Sequence, residues 1–279
     1  MRLFNKVAII GVGLVGGSIA LAIKKRKLAH KIVGVSRRRK TLLLARQRGA
    51  IDKGAQELSI IKDADLVIFA TPVSTILNLA PRAAKFIKPD CIVSDVGSTK
   101  KKIASKLGKL FAHYVGSHPL AGSEKQGVIN ASPDIFKDSL CILTPINTTN
   151  PKDLQKIKRL WVKLGARVLS LAPEKHDKIL SVISHLPHII AFSLMKGIPG
   201  SYLRLASSSL RDTTRIAASD SQLWADIFLS NQKDMLSSIG LFQKNLSRIK
   251  SAINKKDKGL LLKILRDAKK KRDSLNLAR

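Results

Sequence analysis

The sequence predicts an α/β chain, with a parallel sheet in its N-terminal part and an all-helical second domain after it. Three observations carry this. Short runs rich in Val and Ile alternate with helix-like segments as far as residue 172. A glycine-rich turn closes the first of those runs. After Pro173 the strand pattern stops and long helical patterns take over. Strands apolar on both faces belong in a parallel sheet covered by helices on either side.

Each element follows in order. Lys6–Ile10 is a short apolar strand and Leu14–Lys24 a helix; Lys31–Ser36 and Arg39–Arg48 repeat the pair. Asp65–Thr71 is a buried-type strand. Cys91–Val96 is another, followed by a helix over Thr99–Gly108. Tyr114–Ser117 and Leu140–Thr144 are further strands, Pro151–Leu164 is helical, and Arg167–Leu171 is the last strand. The second domain, 173–279, reads as helices over Glu174–Met195, Tyr202–Ser209, Asp220–Asn254 and Asp257–Leu275, with Gly197, Pro199 and Gly200 marking a loop. Segments this long with one apolar stripe need a partner surface, so the second domain is expected to dimerise, with a monomeric bundle as the alternative.

Composition bounds the rest. Of 279 residues 44% are apolar but only 4% aromatic, so the core is aliphatic. The net charge of +32 favours anionic partners. The basic residues are spread along the whole chain, which fits a solvated Lys-rich surface better than a nucleic-acid site. Cys91 and Cys141 each sit in an apolar run and read as strand packing, so we expect neither a disulfide framework nor a metal site. Val7–Ile23 is uncharged and follows Arg2 and Lys6, as in a signal peptide, but Gly11, Gly13, Gly16 and Gly17 would weaken such a helix. No other uncharged run approaches a membrane span, and a cytoplasmic protein is expected.

Gly11-Val12-Gly13-Leu14-Val15-Gly16 is a GxGxxG between a strand and a helix, with a second strand following, which is the context of a Rossmann dinucleotide site. Gly11 permits the tight turn, Gly13 lets a pyrophosphate approach the backbone, and Gly16 lets helix and strand pack. Leu14, Val15 and, at the end of a later strand, Thr71 complete the expected cofactor contacts. The second strand ends in Ser36-Arg37-Arg38-Arg39-Lys40, where an acid for the ribose of NAD is usual. No acid there repels a 2′-phosphate and guanidiniums stand ready to bind one, so NADP is favoured, with NAD as the alternative.

Further candidates lie at later strand ends, where open parallel sheets bind ligands. Asp95-Val96-Gly97-Ser98-Thr99-Lys100 runs from strand to helix; Ser98 or Thr99 is a ligand contact, an N-cap, or both. His118 lies in Gly116–Gly122, between strand and loop, and is a candidate general base. Ser184-His185-Leu186-Pro187-His188 places two His on one helix face, with Pro187 set to kink or loosen the helix. Arg211-Asp212-Thr213-Thr214-Arg215-Ile216-Ala217 carries two Arg four apart, either of which can face a cleft or solvent.

Together with Glu124-Lys125-Gln126-Gly127 and Asp220…Trp224-Ala225-Asp226-Ile227, these elements resemble the prephenate/arogenate dehydrogenase family, in order and over nearly the whole chain. The His-Leu-Pro-His and Arg-Asp-Thr-Thr-Arg-Ile-Ala elements are the specific ones. Ser209-Leu210 and Asp220-Ser221 stand where the family often has Gly-Phe and Asp-Pro. The resemblance implies NAD(P)-dependent oxidative decarboxylation of prephenate or arogenate, in tyrosine biosynthesis, by a homodimer. It implies that His118 accepts the C4 hydroxyl proton, Ser98 orients the same region, Arg215 binds a carboxylate, and His188, with His185, holds the substrate. Two competing readings are another reductase with a helical second domain, such as a 3-hydroxyacid dehydrogenase, and a nucleic-acid-binding protein. The first leaves His118, His188 and Arg215 unexplained, and the basic tail Lys269–Arg272 lacks aromatic interleaving for base stacking.

Overall fold

The computed structural model describes residues 2–122 and 125–277, side chains through 275. Glu124 of the sequence motif lies outside the described residues. Among these, eight strands form one sheet: β1 (Phe4–Ile10), β2 (Ala29–Val35), β3 (Lys53–Ala55), β4 (Leu66–Phe69), β5 (Ile92–Asp95), β6 (Tyr114–Pro119), β7 (Leu140–Thr144) and β8 (Arg167–Ser170). Their order across the sheet is β3-β2-β1-β4-β5-β6-β7-β8. The pairs from β3 to β6 are all parallel, as expected. The exception is β7, which runs antiparallel to β6 and parallel to β8. A parallel return needs a crossover, usually a helix. Between β6 and β7 the described chain has only a 3₁₀ turn at Val128–Asn130, and it comes back in the opposite sense.

Strand alternation splits the apolar residues between two cores. Val7, Ile9, Leu66 and Ile68 face α1 (Leu14–Lys25), α2 (Arg39–Gln47) and α5 (Pro151–Lys163), meeting Ile19, Ile23, Leu42, Ile157 and Trp161. Ala8, Ile10, Val67 and Phe69 face α3 (Val73–Ala84) and α4 (Lys101–Leu110), meeting Ile76, Ala80, Ile103 and Leu107. The sequence reading passed over α3, whose pattern Pro72 and the internal Pro81 interrupt, and the three-residue β3.

The helical part departs from its expected outline in three places. The first long helix is α6 (Pro173–Leu180), a π turn (Ser181–His185) and α7 (Leu186–Gly197). Pro187 has no N–H to give, and the widened turn just before it absorbs that loss. The helix expected over Tyr202–Ser209 is instead a 3₁₀ stretch, Gly200–Leu205, then α8 (Ser208–Thr214) and a 3₁₀ turn Arg215–Ala218. The helix expected from Asp220 to Asn254 breaks at Asn231 into α9 (Ser221–Ser230) and α10 (Gln232–Asn254).

The chain forms two compact units, divided between Gln232 and Lys233. The first carries the sheet together with α6–α9. In it, Asp226 accepts the Ser74 N–H at the start of α3 (3.1 Å), and Thr99 Oγ1 meets Ser230 Oγ (2.9 Å). The second comprises most of α10 and α11 (Lys258–Leu277), joined by a turn with Lys256 at φ +52° and capped by Asp257, which accepts the Leu260 N–H. The helical stretch Pro173–Gly197 is long and apolar enough, by length and composition alone, to cross a membrane, which corrects the expectation that no later run approaches that length. It also carries the buried polar groups His176, Asp177, Ser181 and His185.

Candidate active site

At the carboxyl end of β1 the chain turns sharply. Gly11 has φ +102°, and a Cβ there would lie 2.5 Å from the Ala70 carbonyl oxygen and the Thr71 methyl. A Cβ on Gly16 would lie 2.1 Å from the Gly11 carbonyl oxygen, so α1 packs on this turn only because residue 16 is glycine. Gly13, the N-cap of α1, faces open space. A Cβ there would obstruct only a molecule approaching the helix N-terminus. Beside Gly11, Thr71 Oγ1 is buried without a hydrogen-bond partner. A bare glycine N-cap on a turn whose first glycine adjoins an orphaned hydroxyl fits a dinucleotide phosphate.

Ser36 follows β2, and its Oγ accepts the Arg38 N–H (3.3 Å). Gln56 holds the Arg37 carbonyl from the other side (2.6 Å). The side chains of Arg37, Arg38, Arg39 and Lys40 are exposed, and no carboxylate among the described residues pairs with them. The first turn of α2 has no acidic residue. This leaves a cationic rim where the dinucleotide's ribose end falls in such folds.

Next along the same edge of the sheet, Ser98 follows β5 and His118 lies on β6. The sequence reading places His118 between strand and loop; it is the second-last residue of β6, paired in register with Ile142 of β7. Neither Ser98 nor Thr99 caps the following helix. Asp177 of α6 does so, accepting the N–H groups of Lys100 (2.7 Å) and Lys101 (2.9 Å). Ser98 is partly exposed and so open to a ligand. Below this edge lies a fully buried ion pair between Lys100 Nζ and Asp95. Lys100 also donates to the Ser117 carbonyl (2.6 Å), and Asp95 accepts the Tyr114 hydroxyl (2.8 Å) and the Gly97 N–H (2.8 Å).

Two histidines and a carboxylate stand in line behind these strands. His118 Nδ1 is 2.8 Å from His176 Nε2, and His176 Nδ1 is 2.8 Å from Asp177 Oδ1. Burial, then His176 and Lys100, hold the His118 imidazole well below its ordinary range. Burial likewise lowers His176, with Asp177 opposing it. Asp177 is held below the usual carboxylate range although burial works the other way, because His176 and two backbone N–H groups favour its charge.

The helical part of the same unit contributes an aromatic wall. Trp224 stacks on His188 with ring centroids 3.4 Å apart, and His185 meets its edge at 6.1 Å. The His188 Nδ1 is 2.9 Å from the Ser184 carbonyl, which makes it a donor and leaves Nε2 to accept. Burial lowers the His185 pKa to about 4. Burial also lowers His188, and Arg215 is near enough to lower it further. Asn231, at the break between α9 and α10, donates to the Asp177 carbonyl (2.9 Å) and lies 3.4 Å from His185 Nδ1.

Residues 19–170 match the model of the prephenate dehydrogenase nucleotide-binding domain, and residues 172–267 that of its dimerization domain. The chain belongs to the prephenate dehydrogenase family. It is 36% identical to a prephenate dehydrogenase of Bacillus subtilis over 98% of this chain and 76% of that one. It is 33% identical to a cyclohexadienyl dehydrogenase of Zymomonas mobilis, over 99% and 97% of the two chains. A crystal structure of the Aquifex aeolicus prephenate dehydrogenase with hydroxyphenyl propionate and NAD+ superposes with a TM-score of 0.90 at 32% identity, covering 97% of this chain and 98% of that one. The chain is thus an NAD(P)-dependent oxidoreductase of the oxidative decarboxylation that this family performs in tyrosine biosynthesis.

Within this family member, the predicted residues separate into groups. The glycine turn, Thr71 and Ser98 follow β1, β4 and β5, and His118 lies near the carboxyl end of the adjacent β6, along one edge. His185 and His188 come together on Trp224, and Arg215 lies near His188. The sequence reading missed His176, Asp177, Lys100 and Asn231. The only linear signal was the His-Asp dipeptide at 176–177, which reads equally well as a helix surface.

Proposed function

We propose that this chain oxidises and decarboxylates prephenate, with arogenate as a second substrate, and uses NADP in preference to NAD. The observation that carries the reading is the alignment of glycine turn, Ser98 and His118 on one sheet edge, with His118 kept neutral by its surroundings. The backbone of Gly11, Gly13, Leu14, Val15 and Gly16 would cradle the dinucleotide phosphates, Thr71 would supply a hydroxyl, and Ser36, Arg37 and Arg38 would take a 2′-phosphate. The bound nicotinamide supplies the hydride acceptor. Residues 1–172 thus serve the cofactor, while 173–279 serve substrate binding and dimerisation.

His118, neutral, accepts the C4 hydroxyl proton as the C4 hydride departs. The C1–carboxylate bond then breaks, and its electron pair aromatises the ring and leaves a phenolate. That phenolate takes the same proton back, so no net proton is released. Ser98 orients the hydroxyl, Arg215 pairs with a substrate carboxylate, and His188 and His185 hold the substrate beside Trp224. Two substitutions separate these roles. His118→Asn is expected to lose kcat by about 10²–10⁴-fold, the worth of a general base, with little change in KM. Arg215→Ala is expected mainly to raise KM. The opposite pattern overturns the assignment. Because the base must be neutral and its pKa is lowered, kcat is expected to hold steady as pH falls through the ordinary His range and to drop only below it.

The exposed aliphatic residues of the second unit, among them Leu236, Leu241, Leu246, Ile253 and Leu265, support a homodimer. Sedimentation is expected to give twice the chain mass. We place the enzyme in the cytoplasm, where the nicotinamide pool lies.

A further inference from the structure

His176 and Asp177 belong to none of the roles above, yet both are almost wholly buried, at 0% and 2% exposure. Buried polar groups constrain each other's protons, and here the constraint runs in one direction. Both Asp177 oxygens accept backbone N–H groups, Oδ1 from Lys100 and Oδ2 from Lys101. An ionised carboxylate has no proton to give, so His176 Nδ1 must donate to Oδ1 across 2.8 Å. A neutral His176 then presents a lone pair at Nε2. The facing nitrogen, His118 Nδ1 at 2.8 Å, must in turn donate. That leaves the lone pair of His118 on Nε2, the nitrogen that makes no contact with the relay.

We propose that His176 and Asp177 are positioning residues that fix His118 as its Nδ1–H tautomer and so aim a proton-accepting Nε2 at the substrate. This rests on the assignment of His118 as the base. When Nε2 takes the hydroxyl proton, the Nδ1–H already points at His176, whose far side faces the Asp177 carboxylate. The positive charge is held one ring away from an anion until the phenolate reclaims the proton. A purely structural role would need only the carboxylate capping α4, and would leave the His118–His176 bond without consequence.

The tautomer is read directly from two-bond ¹H–¹⁵N correlations of the ¹⁵N-histidine-labelled, unliganded protein at neutral pH, with His118→Asn identifying the signals. The expected result is a protonated Nδ1 and bare Nε2 on His118; a protonated Nε2 overturns the proposal. In activity, His176→Leu, which cannot accept the Nδ1–H, is expected to lose kcat about 10²-fold with KM nearly unchanged, the low end of a general base's worth. His176→Gln, whose amide oxygen can accept it, is expected to recover most of that loss. Equal activity of the two variants overturns the relay. Should His176→Leu fail to fold, the wild-type spectrum still decides. If that spectrum is as expected but neither prephenate nor arogenate is oxidised, the functional reading fails and the relay stands.

Discussion

The glycine turn and the proposed His118–His176–Asp177 relay are built in opposite ways. The turn is local: Gly11 to Gly16 are contiguous, and the cations after β2 are exposed. The relay is long-range and dry. Asp177 caps a helix 76 and 77 residues earlier in the chain, and Lys100 is buried completely. A local site can be altered without unfolding the chain, whereas a buried network ties function to stability. The two regions should therefore respond differently to substitution.

The largest effect is expected at the buried ion pair. Lys100→Met leaves the Asp95 carboxylate desolvated beside Tyr114 and should cost about 3–5 kcal/mol, read from denaturant unfolding. A loss below about 1 kcal/mol would mean that the Asp95 carboxylate is readily rehydrated, and the contrast would weaken.

Acid comes next. The buried, neutral His185 keeps its proton off down to about pH 4, whereas in the unfolded chain it titrates near pH 6.5. Between these values the unfolded state binds more protons, so its contribution is full above about pH 6.5 and is lost as pH falls towards 4. The loss amounts to about 3 kcal/mol. Unfolding free energy measured across that window checks it, and His185→Gln should flatten the slope.

Substitutions in the glycine turn should divide. Gly16→Ala forces a Cβ against the Gly11 carbonyl and should cost about 1–3 kcal/mol of stability. Gly13→Ala meets no protein atom within 4 Å, so Tm should hold while cofactor affinity falls. Equal Tm losses would contradict the idea that Gly13 is reserved for a ligand. The smallest effect belongs to the exposed rim. Arg37→Ala with Arg38→Ala should lower kcat/KM for NADP roughly tenfold, as expected of charge-assisted hydrogen bonds, and leave NAD and stability unchanged.

The same contrast explains what the sequence made legible. The alternating Val and Ile runs and the glycine turn act through neighbours in the chain, so the Rossmann sheet and its first helices could be read from them. His118, His185 and His188 stood out because the chain has only six histidines, and Ser98 because it follows a strand end. The antiparallel β7 could not be read, because a strand's direction depends on what its connection does rather than on its own residues. The break at Asn231 was hidden in a helical pattern, although that asparagine's amide holds the Asp177 carbonyl. Lys100 looked like one more surface lysine among 51 basic residues. Only burial distinguishes it, and burial is a property of the fold.

The most direct test of the account is an initial-rate assay of the purified protein that crosses prephenate and arogenate with NADP and NAD, followed by the absorbance of reduced nicotinamide. Prephenate with NADP should give the highest kcat/KM, and carbon dioxide should appear in step with the reduced cofactor. No reduction with either substrate would contradict the proposed reaction, and a higher kcat/KM with NAD would contradict the role given to Ser36, Arg37 and Arg38.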